Sequence, residues 1–115
     1  MGWFKDKALK GSLNQIHSGR EDGFDSLENA LQMGANPNAH VQKNLTPLML
    51  AAALGDDGIP AAMVLIQYGA NPLAMDKSGS FNAIEFAENH GFEGYADFLR
   101  NQSTSIEIKK KFLNG

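Results

Sequence analysis

The chain has 115 residues, 43% of them apolar and 20% charged, which is the composition of one packed domain with no room for a second. Thirteen acidic residues against ten basic ones give a net charge of −3; without Lys109, Lys110 and Lys111 only seven basic residues remain, so a phosphate backbone would be repelled and nucleic acid is not an expected partner. The lack of cysteine excludes a disulfide framework, a thiolate metal site and a thiol nucleophile, and no apolar run approaches the ~20 residues of a membrane span.

The opening residues carry Trp3 and Phe4 but are broken by Lys5, Asp6 and Lys7, unlike a signal peptide, and Gly2 lacks the Ser or Thr of a myristoylation site. A soluble cytoplasmic protein is expected, with no membrane partner. Residues 3–18 place Phe4, Ala8, Leu9, Leu13 and Ile16 at helical spacing and stop at Gly19. A polar turn over residues 20–23 leads to a second helix, in which Asp25 and Glu28 have capping-box spacing and Leu27, Ala30 and Leu31 form the apolar stripe.

Gly34, Ala35, Asn36 and Pro37 then recur as Gly69, Ala70, Asn71 and Pro72, 35 residues later. In each copy the glycine can end a helix in the left-handed conformation and the proline prevents its resumption. Residues 38–45 read as a hairpin-like connection. Next, Thr46 can cap a helix over residues 46–55, Pro47 suits its first position and Gly55 its end, while Ala51 and Ala52 allow a neighbouring helix to pack close. After the turn at Asp56, Asp57 and Gly58, a fourth helix carries Pro60 in its first turn and the apolar run Met63, Val64, Leu65 and Ile66.

Residues 73–81 form a second connection, turning at residues 76–79. Asn82 and Glu85 repeat the capping-box spacing and open a fifth helix with Ile84, Phe86 and Ala87; Tyr95, Phe98 and Leu99 mark a sixth after Gly91. In residues 103–115, Thr104 and Glu107 again have the capping spacing, so a short capping helix bearing Ile106, Phe112 and Leu113 is expected, with a strand or a solvated tail as alternatives.

These segments resemble the ankyrin repeat, whose signature joins a Thr-Pro-Leu-His-x-Ala helix opening to a Gly-Ala ending at a period of roughly 33 residues. Thr46, Pro47, Leu48, Ala51, Ala52, Gly55, Leu65, Ile66, Gly69, Ala70 and Asn71 carry the resemblance, which extends over about residues 8–101. It implies an all-α solenoid of three stacked helix-turn-helix repeats with short hairpin-like fingers: an N-cap repeat at 3–37, a central repeat at 38–72, a C-cap repeat at 73–102 and the C-terminal segment at 103–115. Met49 departs from the family histidine, which predicts a looser junction. Asn44 replaces a turn glycine, and Glu88 replaces a buried alanine, which is acceptable only at an end of the stack.

The resemblance further implies binding of another protein through finger tips and the concave row of first helices. The finger positions are His40, Gln42, Lys43 and Leu45, then Lys77, Ser78, Ser80 and Phe81; the helix positions are His17, Ser18, Ala53, Leu54, Asn89 and His90. The three histidines fall in different repeats without metal-ligand spacing, and no nucleophile motif, phosphate loop or carboxylate pair is evident, so neither an enzyme nor a metal or cofactor is expected. The acidic turns at residues 21–23 and 56–58 read as polar turns, with a basic partner as the alternative. The expected function is that of a monomeric inhibitor or adaptor with one partner protein; self-association through the ends of the stack, aided by Trp3, Phe4, Phe112 and Leu113, is the second reading.

Overall fold

Six α-helices follow one another among the described residues: α1 (Gly2–His17), α2 (Gly23–Gln32), α3 (Pro47–Ala52), α4 (Gly58–Gln67), α5 (Ala83–Asn89) and α6 (Glu93–Asn114). The computed structural model describes the backbone of residues 2–20 and 22–114 and the side chains of residues 7–20, 22–55 and 57–103. Consecutive helices pair, α1 on α2, α3 on α4 and α5 on α6, and the pairs stack with α1, α3 and α5 in one row and α2, α4 and α6 in the other. Isolated antiparallel bridges, Gln42 with Leu45 and Met75 with Asn82, define two fingers beside the first row. This is the all-α repeat solenoid implied by the sequence.

The core is a continuous layer between the rows, built from Leu9, Leu13, Leu27, Leu31, Leu48, Met49, Leu65, Tyr95 and Leu99 among others. Each fully buried leucine contributes about 2 kcal/mol through removal from water. Met49 has no exposed surface, so the residue in place of the family histidine fills the interior with apolar bulk. Ala51, Ala52, Ala61 and Ala62 are all buried where helices of adjacent elements approach. The small side chains there set the distance between the rows.

Helix ends follow the glycine logic closely. Gly34 and Gly69 share a φ of 100°, and the amides after them, Ala35 N and Ala70 N, donate to Ala30 O and Leu65 O five residues back. Gly19 and Gly91 end α1 and α5 in the same way, through Arg20 N to Gln15 O and Phe92 N to Ala87 O. Asn82 and Glu85 form the expected capping box, and the Thr46 hydroxyl accepts from Met49 N at 3.4 Å.

Three expectations are corrected. First, α2 begins at Gly23, so Asp25 lies inside its first turn and is no cap; Glu28 instead accepts from Gln32 Nε2 at 3.2 Å. Gly23 begins the helix because its backbone lies against α1, where a Cβ would come within 2.7 Å of Ile16 Cγ1 and 2.8 Å of Ile16 N. Second, α3 stops at Ala52, because Ala53 N and Leu54 N turn back to carbonyls three residues earlier and a 3-10 turn over Gly55–Asp57 follows. Third, no helix starts at Thr104: α6 runs unbroken from Glu93 to Asn114, with no glycine or proline between Gly94 and its end to stop it. The contacts expected of Trp3, Phe4, Ile106, Phe112 and Leu113 lie outside the described side chains.

Candidate functional site

The first finger turns at Lys43 and Asn44, whose φ angles of 50° and 64° make a two-residue reverse turn closed by Leu45 N to Gln42 O at 2.8 Å. Asparagine tolerates this conformation; lysine has no such aptitude. The second finger is one residue longer and is held by Asp76, buried at its base. Its carboxylate accepts from Ser80 N at 2.7 Å, Phe81 N at 3.1 Å and the Ser78 hydroxyl. Those donors, the Ser78 hydroxyl foremost, hold its pKa below the ordinary carboxylate value against the opposing effect of desolvation.

The fingers are stapled to one another. Lys77 N donates to Asn44 O at 2.9 Å, and His40 Nε2 lies 2.9 Å from Met75 O. Asn38 accepts from Asn71 N at 2.7 Å and donates to Gly69 O at 3.2 Å. His40 therefore has a structural tie beside any partner role.

Two concavities open between the fingers and the first row. One, of about 310 Å³, is lined by Leu13, Asn14 and His17 of α1, Gln42 and Lys43 of the finger, Leu50 of α3, and Ala53 and Leu54 after it. It thus joins five of the sequence-predicted residues, His17, Gln42, Lys43, Ala53 and Leu54. The other, of about 290 Å³, is lined by Ser80, Phe81, Glu85, Glu88 and Asn89, and joins three more, Ser80, Phe81 and Asn89. Leu45, His40, Lys77, Ser78 and His90 line neither. Leu45 is half-buried against the core, while Lys77 and Ser78 are exposed on the second finger.

His90 donates Nδ1–H to Phe86 O at 2.9 Å and packs tilted against the Phe86 ring at 4.3 Å between centroids, with Phe92 parallel to it at 6.1 Å. Phe81 extends this aromatic row, 5.7 Å from Phe86. Sequence reasoning missed Leu13, Asn14, Leu50, Glu85 and Glu88 as lining residues. Leu50, half-buried against the core, was legible as the neighbour of Ala53 one helical turn earlier.

Behind the first row, Tyr95 fixes α6 to α3 by donating its hydroxyl to Leu48 O, and burial pushes its phenol well above the usual range. Glu88 is exposed and pairs with Arg100 at 3.0 Å, as its terminal position allows. Gly58, 35 residues after Gly23, repeats its close approach: a Cβ there would stand 2.6 Å from Ala51 O.

The ankyrin repeat family model matches residues 43–77, the first finger tip through the α3–α4 pair to the second finger. Residues 43–77 form an ankyrin repeat. Comparison with curated proteins gives no match. Ankyrin repeats generally mediate protein–protein interaction, and the matched segment contains Lys43, Leu45, Ala53, Leu54 and Lys77 of the candidate face. Among the described residues no three His, Asp or Glu side chains gather as a metal site, and no helix is long and apolar enough to cross a membrane.

Proposed function

We propose that this ankyrin-repeat chain is a cytoplasmic inhibitor or adaptor that binds one partner protein through its concave face and finger tips, and that it works as a monomer without catalysis. The observation that carries this reading is the groove at α1 and α3. There an apolar floor of Leu13, Leu50, Ala53 and Leu54 meets a polar rim of Asn14, Gln42 and Lys43. An apolar centre with a polar edge is the anatomy of a protein interface. Staples between the fingers supply preorganisation, which lowers the ordering cost of association.

Ala53 and Lys43 are exposed, so both can be changed without opening the core. The double substitution Ala53→Arg with Lys43→Glu should abolish capture of the partner from the native host, read by affinity purification and mass spectrometry. Capture of the same protein by the folded double variant would remove the concave face from the reading.

A second reading, self-association through an end of the stack, is favoured by Leu73 and Met75, 45% and 38% exposed. They stand 35 residues after Asn38 and His40, the residues that staple one repeat to the next. Apolar side chains there suit a second copy. Sedimentation at low micromolar concentration distinguishes the two: a monomer leaves the first reading alone.

A further inference from the structure

The two concavities carry opposite charge, and this deepens the proposed function and rests on it. We propose that the partner presents a bipolar segment. A bulky apolar side chain flanked by a carboxylate fills the groove between α1 and α3, and an arginine or lysine, about one repeat spacing further on, enters the pocket at α5.

The first half of the proposal stands on Lys43. Its side chain rims the apolar groove, is exposed, and forms no ion pair with a described residue. Its backbone is held at positive φ, which lysine disfavours and which an asparagine or glycine would meet without strain. Strain in an exposed, unpaired cation at the mouth of a groove points to use of that cation. The groove is at the lower end of the ~300–1,000 Å³ range of ligand clefts, the size for one projecting side chain with its neighbour at the rim.

The second half stands on Phe81, Glu85 and Glu88. Glu85 spends Oε1 on Asn82 N at 3.1 Å, and Glu88 spends Oε2 on Arg100 at 3.0 Å, so each keeps its second oxygen for a ligand. Arg100 is the cation shared by Glu88 and Asp97, in a cavity that Glu93 also lines, so the carboxylates here outnumber it. Phe81 adds a ring against which a desolvated cation is attracted. α3 and α5 are neighbours in the first row, and packed helices lie roughly 8–10 Å apart, a distance spanned by two turns of a helical segment.

The order of charges also sets a direction, with the acidic residue of the segment toward the N-terminal repeat and the basic one toward the C-terminal repeat. Reversed docking would place like charges together at both ends.

The test is selection of a displayed random peptide library against the intact chain. Binders are expected to share an Asp or Glu beside a bulky apolar residue, with Arg or Lys about two helical turns away. Selection against Lys43→Glu should replace the acidic preference by a basic one. Selection against Glu88→Lys should reverse the other end, with Glu88→Gln merely relaxing it. Circular dichroism checks that these surface variants are folded. Binders that lose at least tenfold in affinity to Ala53→Arg yet show no charge order would overturn the bipolar segment while leaving the concave face standing. Binders indifferent to Ala53→Arg would overturn both, and recovery of no binder by the folded chain would overturn the bipolar segment.

Discussion

The central repeat and the C-terminal repeat solve the same geometric problems with different residues. At the start of the first helix, the centre uses the Thr46 hydroxyl and Pro47, whereas the C-terminal repeat uses the reciprocal Asn82–Glu85 box. At the second small position, Ala52 is buried between elements, but Glu88 is exposed and paired with Arg100. At the start of the second helix, Gly58 has no space for a Cβ, while nothing lies within 4 Å of one at Gly94. Ala52 and Glu88 teach that a position facing the next repeat is constrained by what stands beyond it, whereas Gly58, like Gly23 in the N-terminal repeat, is constrained within its own helix pair, a contact that Gly94 lacks.

Exchanging these positions tests that statement, and the largest effect is expected at Ala52. Ala52→Glu places an unpaired carboxylate in the interior and should cost about 4 kcal/mol, enough to unfold much of the protein in a thermal melt. Glu88→Ala removes only an exposed pair and should change stability by less than about 1 kcal/mol. Gly58→Ala comes next: the added Cβ strikes the Ala51 carbonyl, and a loss of about 3 kcal/mol should appear in urea unfolding. Gly94→Ala should instead gain up to about 1 kcal/mol from helix propensity. Equal losses at Gly58 and Gly94 would break the comparison.

The fingers extend the contrast at smaller scale. Asp76 has a folded pKa below its ordinary value of 3.8. Its contribution is therefore complete above that pH and is lost as pH falls below it toward the folded value. Asp76→Asn should lower the melting temperature at neutral pH and flatten the acid side of the stability profile. Lys43→Asn in the first finger should do the opposite, gaining about 1 kcal/mol by relieving the left-handed lysine. Under the proposed function that gain is accompanied by weaker partner binding, measurable by titration calorimetry.

Much of this was legible because it is local. The 35-residue recurrence of Gly34 and Gly69, the Thr46–Pro47 opening and the Asn82–Glu85 spacing each act within one helix turn. The equal spacing of Gly23 and Gly58 was there to be read as well, but a glycine needed for close packing looks in sequence like a turn glycine. Asp25 and Glu28 had the right spacing in the wrong frame, since contact with Ile16 decides where α2 starts. The extra residue Ser80 and the Asp76 anchor shift Phe81 by one position relative to Leu45 of the first finger. Tyr95 reaches Leu48 O across 47 residues, and no local pattern announces such a bond. Of the candidate face, the residues on one finger and the adjoining helix were found together, whereas the carboxylates of α5 were hidden by their capping and pairing roles.

The staples described between residues 38–44 and 69–77 all cross one seam, that between the central and C-terminal repeats. The preceding seam is joined by apolar packing and, on its outer side, by the Tyr68 hydroxyl with Gln32 and Glu28. The two seams are thus fastened at opposite sides of the stack, one at the fingers and the other at the outer row through Tyr68. Gln42 and Lys43, one wall of the first groove, belong to the finger that carries the staples, and Leu13, Asn14 and His17, its other wall, are set by the packing of α1 on α3. The groove is therefore bounded by a hydrogen-bonded wall on one side and an apolar-packed wall on the other.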